Sequence, residues 1–480
     1  MMIRTEPFVP AKFISEGTVK LRGIQIPYKT VCEDNVFYDD EGKAIASIFS
    51  YSYFRSDVED NKNRPILFGF NGGPGASSMM VHVGFLGTKR MIYSEDVDEP
   101  NTMPPFQAGD NPNCLLDIAD IVLIDPVGTG FGMLLDETYK DTFFTSEGDA
   151  ESLLLFIRQW LTRYKRWNSP KYLVGESYGC TRAAIAAGIA SGRGMNRAYN
   201  MAFDGLILIG NTITIGDYFN KNVPVEPAVL QFPTCAAINW YYNNPSQSTL
   251  KDFVDGARNF ADTKYLLALH QGDALTGKAR EKVKKEIQYY TGVSDTYLEE
   301  HGLRLDESSF RIEFGREKKI MISRHDARIT LQNVYPQTYK GDIGLLDDAV
   351  MAKYGPIFDG VLHNVLLPNL GINFERTFVD SYYNYWQWEG FDVKFGNSGE
   401  ELCDAMRRCP QMRVFFANGW YDLCTQIGII YYTINHAGLP KDRVYLKGYP
   451  SGHMLYIGED NVNALTNDIR IFIQGNAPTE

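Results

Sequence analysis

At 480 residues, with 44% hydrophobic and 22% charged side chains, the chain can bury a large core, and neither disorder nor a repeat solenoid fits. A net charge of −12 offers no basic face for phosphates, which argues against a nucleic-acid protein. No apolar run reaches the roughly 18 residues that cross a bilayer, and residues 1–23 lack the apolar stretch of a secretory signal, so the reading is no membrane partner and a cytoplasmic location.

Residues 18–54 alternate apolar and polar side chains around Asp39-Asp40-Glu41-Gly42, which predicts strands joined by turns. The pattern then changes. Short apolar runs at 66–70, 118–124, 172–174, 206–209, 414–417 and 444–446 predict strands buried on both faces of a mostly parallel sheet. Between the second and third runs, Leu153, Leu154, Phe156, Ile157, Trp160, Leu161 and Tyr164 recur at helical spacing, with Ser146 and Asp149 as a capping start. Strand, helix, strand alternation predicts an α/β fold.

From about 216 to 371 the alternation breaks. Residues 250–301 are charged and helix-rich, and the stretch from 302 to 371 is irregular. This predicts an inserted, largely helical cap at 216–371, with 18–215 and 372–480 folding together as one discontinuous core. The seven cysteines are an odd set without Cys-x-x-Cys pairs, which fits reduced thiols better than a disulfide framework or a zinc site.

The most specific local signal is Gly175-Glu176-Ser177-Tyr178-Gly179, between a predicted strand and an Ala-rich helix. Only small residues fit beside a serine on so tight a turn, and the helix brings N–H groups near any charge that develops. A serine hydroxyl needs a base, and the base an orienting carboxylate. Downstream, Asn418-Gly419-Trp420-Tyr421-Asp422 and Gly452-His453-Met454 each follow a strand, in the order serine, acid, histidine. Ser177, Asp422 and His453 are therefore the candidate triad. Asn71-Gly72-Gly73-Pro74-Gly75 also follows a strand and would bring a backbone N–H to a reacting carbonyl, so Gly73 and Tyr178 are the candidate oxyanion donors. No Gly-Lys-Ser/Thr follows that loop, which removes a phosphate-binding reading. Asp125-Pro126-Val127-Gly128-Thr129-Gly130 has the wrong glycine spacing for a dinucleotide.

Taken in order, Asn-Gly-Gly-Pro-Gly, Asp-Pro-Val-Gly-Thr-Gly-Phe, Gly-Glu-Ser-Tyr-Gly, Asn-Gly-x-x-Asp and Gly-His-Met resemble the serine carboxypeptidase family of the α/β hydrolases. The resemblance covers about residue 60 onward, and the segment from Leu230 to Tyr242 resembles a cap segment of bacterial members. It implies an α/β-hydrolase core, removal of C-terminal residues from a peptide substrate through an acyl-enzyme, and no cofactor or metal. It also implies that Asn71 and Glu176 bind the substrate's terminal carboxylate. Eukaryotic members carry a second Glu where this chain has Phe85, so an esterase or acyltransferase with the same triad is the alternative, and a non-catalytic binding protein the more distant one. Side-chain preference and oligomeric state have no sequence signal.

Overall fold

The computed structural model describes residues 8–192, 199–215, 226–332, 348–381, 386 and 397–478. Three long strands open the fold, β1 (Lys12–Leu21), β2 (Ile24–Tyr38) and β3 (Ala44–Arg55). They are followed by β4 (Ile66–Phe70), β5 (Lys89–Ile92), β6 (Gln107–Asp110), β7 (Asp120–Asp125), β8 (Met133–Leu134), β9 (Lys171–Glu176) and β10 (Gly205–Ile209). Further on come β11 (Ile320–Ile322), β12 (Thr330–Gln332), β13 (Arg413–Gly419) and β14 (Val444–Tyr449).

One sheet runs in the order β1-β2-β3-β7-β4-β9-β10-β13-β14, with β8 paired to β3. The six strands from β7 to β14 in that order are parallel, whereas β1 to β3 pair antiparallel and β3 joins β7 antiparallel. The pairs β5–β6 and β11–β12 are separate antiparallel hairpins.

Side chains alternate across a strand, so continuous apolar runs must be covered on both faces. Leu206, Leu208, Val414 and Phe416 face one core, shared with Leu153, Trp160, Ala183 and Leu402 of the helices Ser146–Arg163, Tyr178–Ala190 and Gly399–Arg408. Ile207, Ile209, Phe415 and Ala417 face the other, shared with Leu465 and Phe472 of the helix Glu459–Ile473. This is the mostly parallel, doubly covered sheet of an α/β-hydrolase core.

The crossover helix starts differently from its predicted cap. The Thr145 hydroxyl accepts from Gly148 N, while the Asp149 carboxylate turns inward to Tyr178 and Arg182. Asp149 cannot serve the helix end because a buried guanidinium takes its charge.

In the inserted region, the helices Pro227–Asn243, Leu250–Phe260 and Gly277–Thr291 close around a third core that includes Phe232, Val254 and Ile287. Trp420, Tyr421, Leu423 and Ile427, from the far side of the sequence, belong to that same cluster. The helix Ala349–Val361 instead puts Val350, Tyr354, Ile357 and Phe358 into the core beside the sheet. The predicted cap start at 216 lies outside the described residues.

Candidate active site

Ser177 connects β9 to the helix Tyr178–Ala190 with φ 59° and ψ −128°, a conformation that costs a non-glycine residue about 1–3 kcal/mol. The surroundings enforce it. Ser177 N donates to Ile209 O at 2.8 Å, and Ser177 O accepts from Cys180 N at 2.8 Å and from Thr212 Oγ1 at 2.9 Å. A Cβ at Gly175 would lie 2.4 Å from Gly179 O, so the turn closes only with glycine there. Ser177 is partly exposed, unlike its neighbours on either side.

Strands β4, β9, β10, β13 and β14 are consecutive in the sheet, so the loops at their C-terminal ends gather at one rim. From β13, Asp422 is fully buried and its Oδ1 accepts from Cys424 N at 2.8 Å and Thr425 N at 2.9 Å. Its Oδ2 lies 2.7 Å from His453 Nδ1 and accepts from Thr425 Oγ1 at 2.6 Å. Burial opposes charge on both groups, but each stabilises the other's ion, so Asp422 is held below the usual carboxylate range and His453 is raised to about 9. The imidazole packs over Gly210, where a Cβ would lie 2.7 Å from His453 Cε1. Gly210 follows the strand whose Ile209 holds Ser177 N, which brings histidine and serine to the same corner. Among the described residues no hydrogen bond joins Ser177 Oγ to His453.

The loop after β4 presses on the serine turn. A Cβ at Gly72 would lie 2.4 Å from Tyr178 N and 2.6 Å from Glu176 O, so glycine is required for the approach. Gly73, exposed with φ 100°, stands next in the chain, which puts its amide beside that of Tyr178. Asn71 Nδ2 donates to Glu176 Oε1 at 2.8 Å, Asn71 Oδ1 accepts from Val81 N at 3.0 Å, and Asn71 O accepts from Arg182 Nη1 at 2.7 Å.

Glu176 is buried. Its Oε1 also accepts from Tyr456 Oη at 3.2 Å, while Oε2 has no hydrogen-bond partner among the described residues. Burial raises its pKa to about 7. Phe85 lies near by, stacked on Tyr456 with ring centroids 5.3 Å apart.

Four further contributors are given no role in the site by the sequence. Thr425 bonds Asp422, and Tyr456 bonds Glu176. Asp125, which burial pushes up to about 6, accepts from Ser78 N at 2.8 Å and Ser78 Oγ at 2.7 Å, anchoring the end of the Gly-rich loop. Its motif is visible in the chain, but its partner 47 residues earlier is not. Cys424 is held below the usual thiol range: burial opposes the shift, and Arg324, His453 and His325 outweigh it. Asp422, Cys424 and His453 bring one ligand atom each within 4.8 Å of one another and could hold a metal ion, although Asp422 and His453 are already bonded together. All seven cysteines are free thiols.

The chain is similar to known proteins in sequence and in fold. Serine carboxypeptidase-like 5 of Arabidopsis thaliana is 28% identical over 169 residues, 34% of this chain and 36% of that protein. Serine carboxypeptidase S10 family member 1 of Dictyostelium discoideum is 28% identical over 136 residues, 28% of this chain and 29% of that one. The chain thus spans about a third of the length of these relatives. In fold it is similar to Kex1(delta)p, a prohormone-processing carboxypeptidase from Saccharomyces cerevisiae, with a TM-score of 0.50, 14% identity and coverage of 96% of this chain and 91% of that one. The family model described as serine carboxypeptidase matches residues 38–304, more than half of the sequence, and the chain belongs to that family.

Proposed function

We propose that the protein is a serine-type carboxypeptidase acting on peptides. Ser177 Oγ attacks the scissile carbonyl and passes its proton to His453 Nε2, Asp422 orients the imidazole through Nδ1, and the amides of Gly73 and Tyr178 receive the oxyanion. His453 then protonates the leaving amine, and water releases the acyl group from Ser177. Asn71 and a protonated Glu176 hold the substrate's terminal carboxylate.

The observation that carries this reading is the 2.7 Å pair of buried Asp422 and His453 set over the strained Ser177 turn. The Glu176 Oε2 atom, buried and unbonded, supports carboxylate recognition, because a neutral acid there has a proton to donate. Seven free thiols suit a reducing compartment, which supports a cytoplasmic location.

The test is Ser177→Ala. Hydrolysis of a blocked free-acid dipeptide should fall by about three orders of magnitude or more, and fluorophosphonate labelling should vanish. Full activity in that variant would rule the mechanism out.

Phe85 favours a second reading. At position 85 an aromatic ring, not a carboxyl group, stacks on Tyr456, and an esterase or acyltransferase would use the same triad. Comparing the dipeptide with its C-terminal amide separates the two. A carboxypeptidase prefers the free acid, whereas an esterase is indifferent to that group.

A further inference from the structure

The loop between β11 and β12 does more than close a hairpin. Residues 323–329 run between the loop that carries Asp422 and the loop that carries His453, and they bond to both. Leu423 N donates to Arg324 O at 3.0 Å, and Ala327 N donates to Tyr421 O at 3.0 Å, so the acid's two neighbours are gripped from one side. His453 N donates to His325 O at 2.6 Å, and Gly452 N donates to Asp326 Oδ2 at 3.1 Å, so the histidine's backbone is gripped from the other. Gly452 fits only because it lacks a side chain, since a Cβ there would lie 2.3 Å from Asp326 Cβ.

At the centre of the loop is Arg328, buried with Asp326. Its Nε donates to Asp326 Oδ1 at 2.9 Å and its Nη2 to Asp326 Oδ2 at 2.6 Å. The rest of the guanidinium reaches the histidine loop on both sides of His453. Nη1 donates to Pro450 O at 3.0 Å, and Nη2 donates to Ser451 Oγ at 3.1 Å and Ile457 O at 3.2 Å. Arginine alone supplies so many donors in one rigid plane, and a lysine could satisfy only part of the set. A buried ion pair adds little to net stability, so a pair that spends its hydrogen bonds on one functional loop is better explained by what it positions.

We propose that Arg328, held by Asp326, is a positioning residue for His453, and that the 323–329 loop clasps the acid and histidine loops at the spacing their side chains require. The catalytic consequence rests on the triad of the proposed function, but the geometry being tested does not. In this role Arg328 acts through the histidine loop and sets where the imidazole sits.

The experiment compares Arg328→Ala and Arg328→Lys with the parent full-length protein in two measurements. The first is the far-downfield proton NMR signal of His453 Nδ1–H, which reports the bond to Asp422 whether or not the protein is a peptidase. The second is kcat and KM for the blocked dipeptide, with and without added guanidinium ion.

The expected result is that Arg328→Lys melts close to the parent temperature yet shifts or loses the downfield signal. Its kcat should fall about 100-fold with KM little changed, the scale of loss for a displaced catalytic group. Guanidinium should restore part of the kcat of Arg328→Ala. An unchanged downfield signal in a folded Arg328→Lys or Arg328→Ala protein overturns the proposal. If the parent shows the signal but Ser177→Ala keeps its activity, the triad reading fails while the positioning role stands or falls on the NMR comparison alone.

Discussion

At the scale of single residues, the site sets two buried groups against each other in pH. Glu176 is raised to about 7, so below that pH it carries a proton that can be donated to a substrate carboxylate, and above it the proton is lost. His453 is raised to about 9, so the neutral imidazole that a general base needs becomes more abundant as pH climbs toward that value. The two effects should separate by substrate. KM for a free-acid dipeptide is expected to rise as pH passes upward through about 7, whereas an ester without a carboxylate should gain rate up to about 9. Glu176→Gln keeps an N–H donor that does not titrate, so its KM for the free acid should be flat across neutral pH. A variant with the parental pH dependence of KM would remove Glu176 from carboxylate binding. Asp422→Asn should lower kcat by about 10⁴-fold, because the amide favours the wrong imidazole tautomer, and steady-state rates would show it.

At the scale of elements, the site depends on loops that approach more closely than side chains permit. Gly72→Ala places a methyl group 2.4 Å from Tyr178 N and 2.6 Å from Glu176 O, both backbone atoms of a turn that has no room to move. The Gly-rich loop must lift, and the Gly73 amide with it. The expected outcome is a kcat lowered about 100-fold together with a stability loss of about 1–3 kcal/mol, read by rates of fluorophosphonate labelling and by thermal unfolding.

These close approaches also explain what could be read from the chain itself. Glycine at 72, 175 and 179 leaves a local mark, and a strand before each motif predicts its place at the sheet rim, so Ser177, Gly73, Asp422 and His453 could be named as candidates by inspection. The strands were equally visible, because a run covered on both faces has no polar positions to blur it; the run at 206–209 is observed as Gly205–Ile209. Tyr456, Asp326 and Arg328 leave no such mark. A tyrosine three residues past a histidine reads as core, and an Asp-Ala-Arg triplet in an irregular region reads as solvated charge. Their partners lie 280 residues away for Tyr456 and 122 or more for the Arg328 contacts to the histidine loop, a distance across which spacing carries no signal.

At the scale of the whole molecule, the inserted helices and the sheet share side chains as well as a chain. Trp420, Tyr421, Leu423 and Ile427 flank Asp422 in sequence but pack in the same cluster as Phe232, Val254 and Ile287. Pulling the helices away would expose these side chains to water and loosen the Asp422 loop together with them. The expected consequence is one cooperative unfolding transition, with calorimetric and van't Hoff enthalpies in agreement and activity lost at the same temperature as helical signal. Two resolved transitions in a calorimetric scan would mean that the shared cluster does not couple the parts.

The β11–β12 hairpin adds a practical consequence for anyone who would re-tool this protein. Recruiting a foreign cap to accept new substrates is a common engineering instinct, yet here the donor scaffold would have to bring its own carbonyl to receive the His453 amide. A chimera built for altered selectivity alone would inherit a new mouth and an unmoored base.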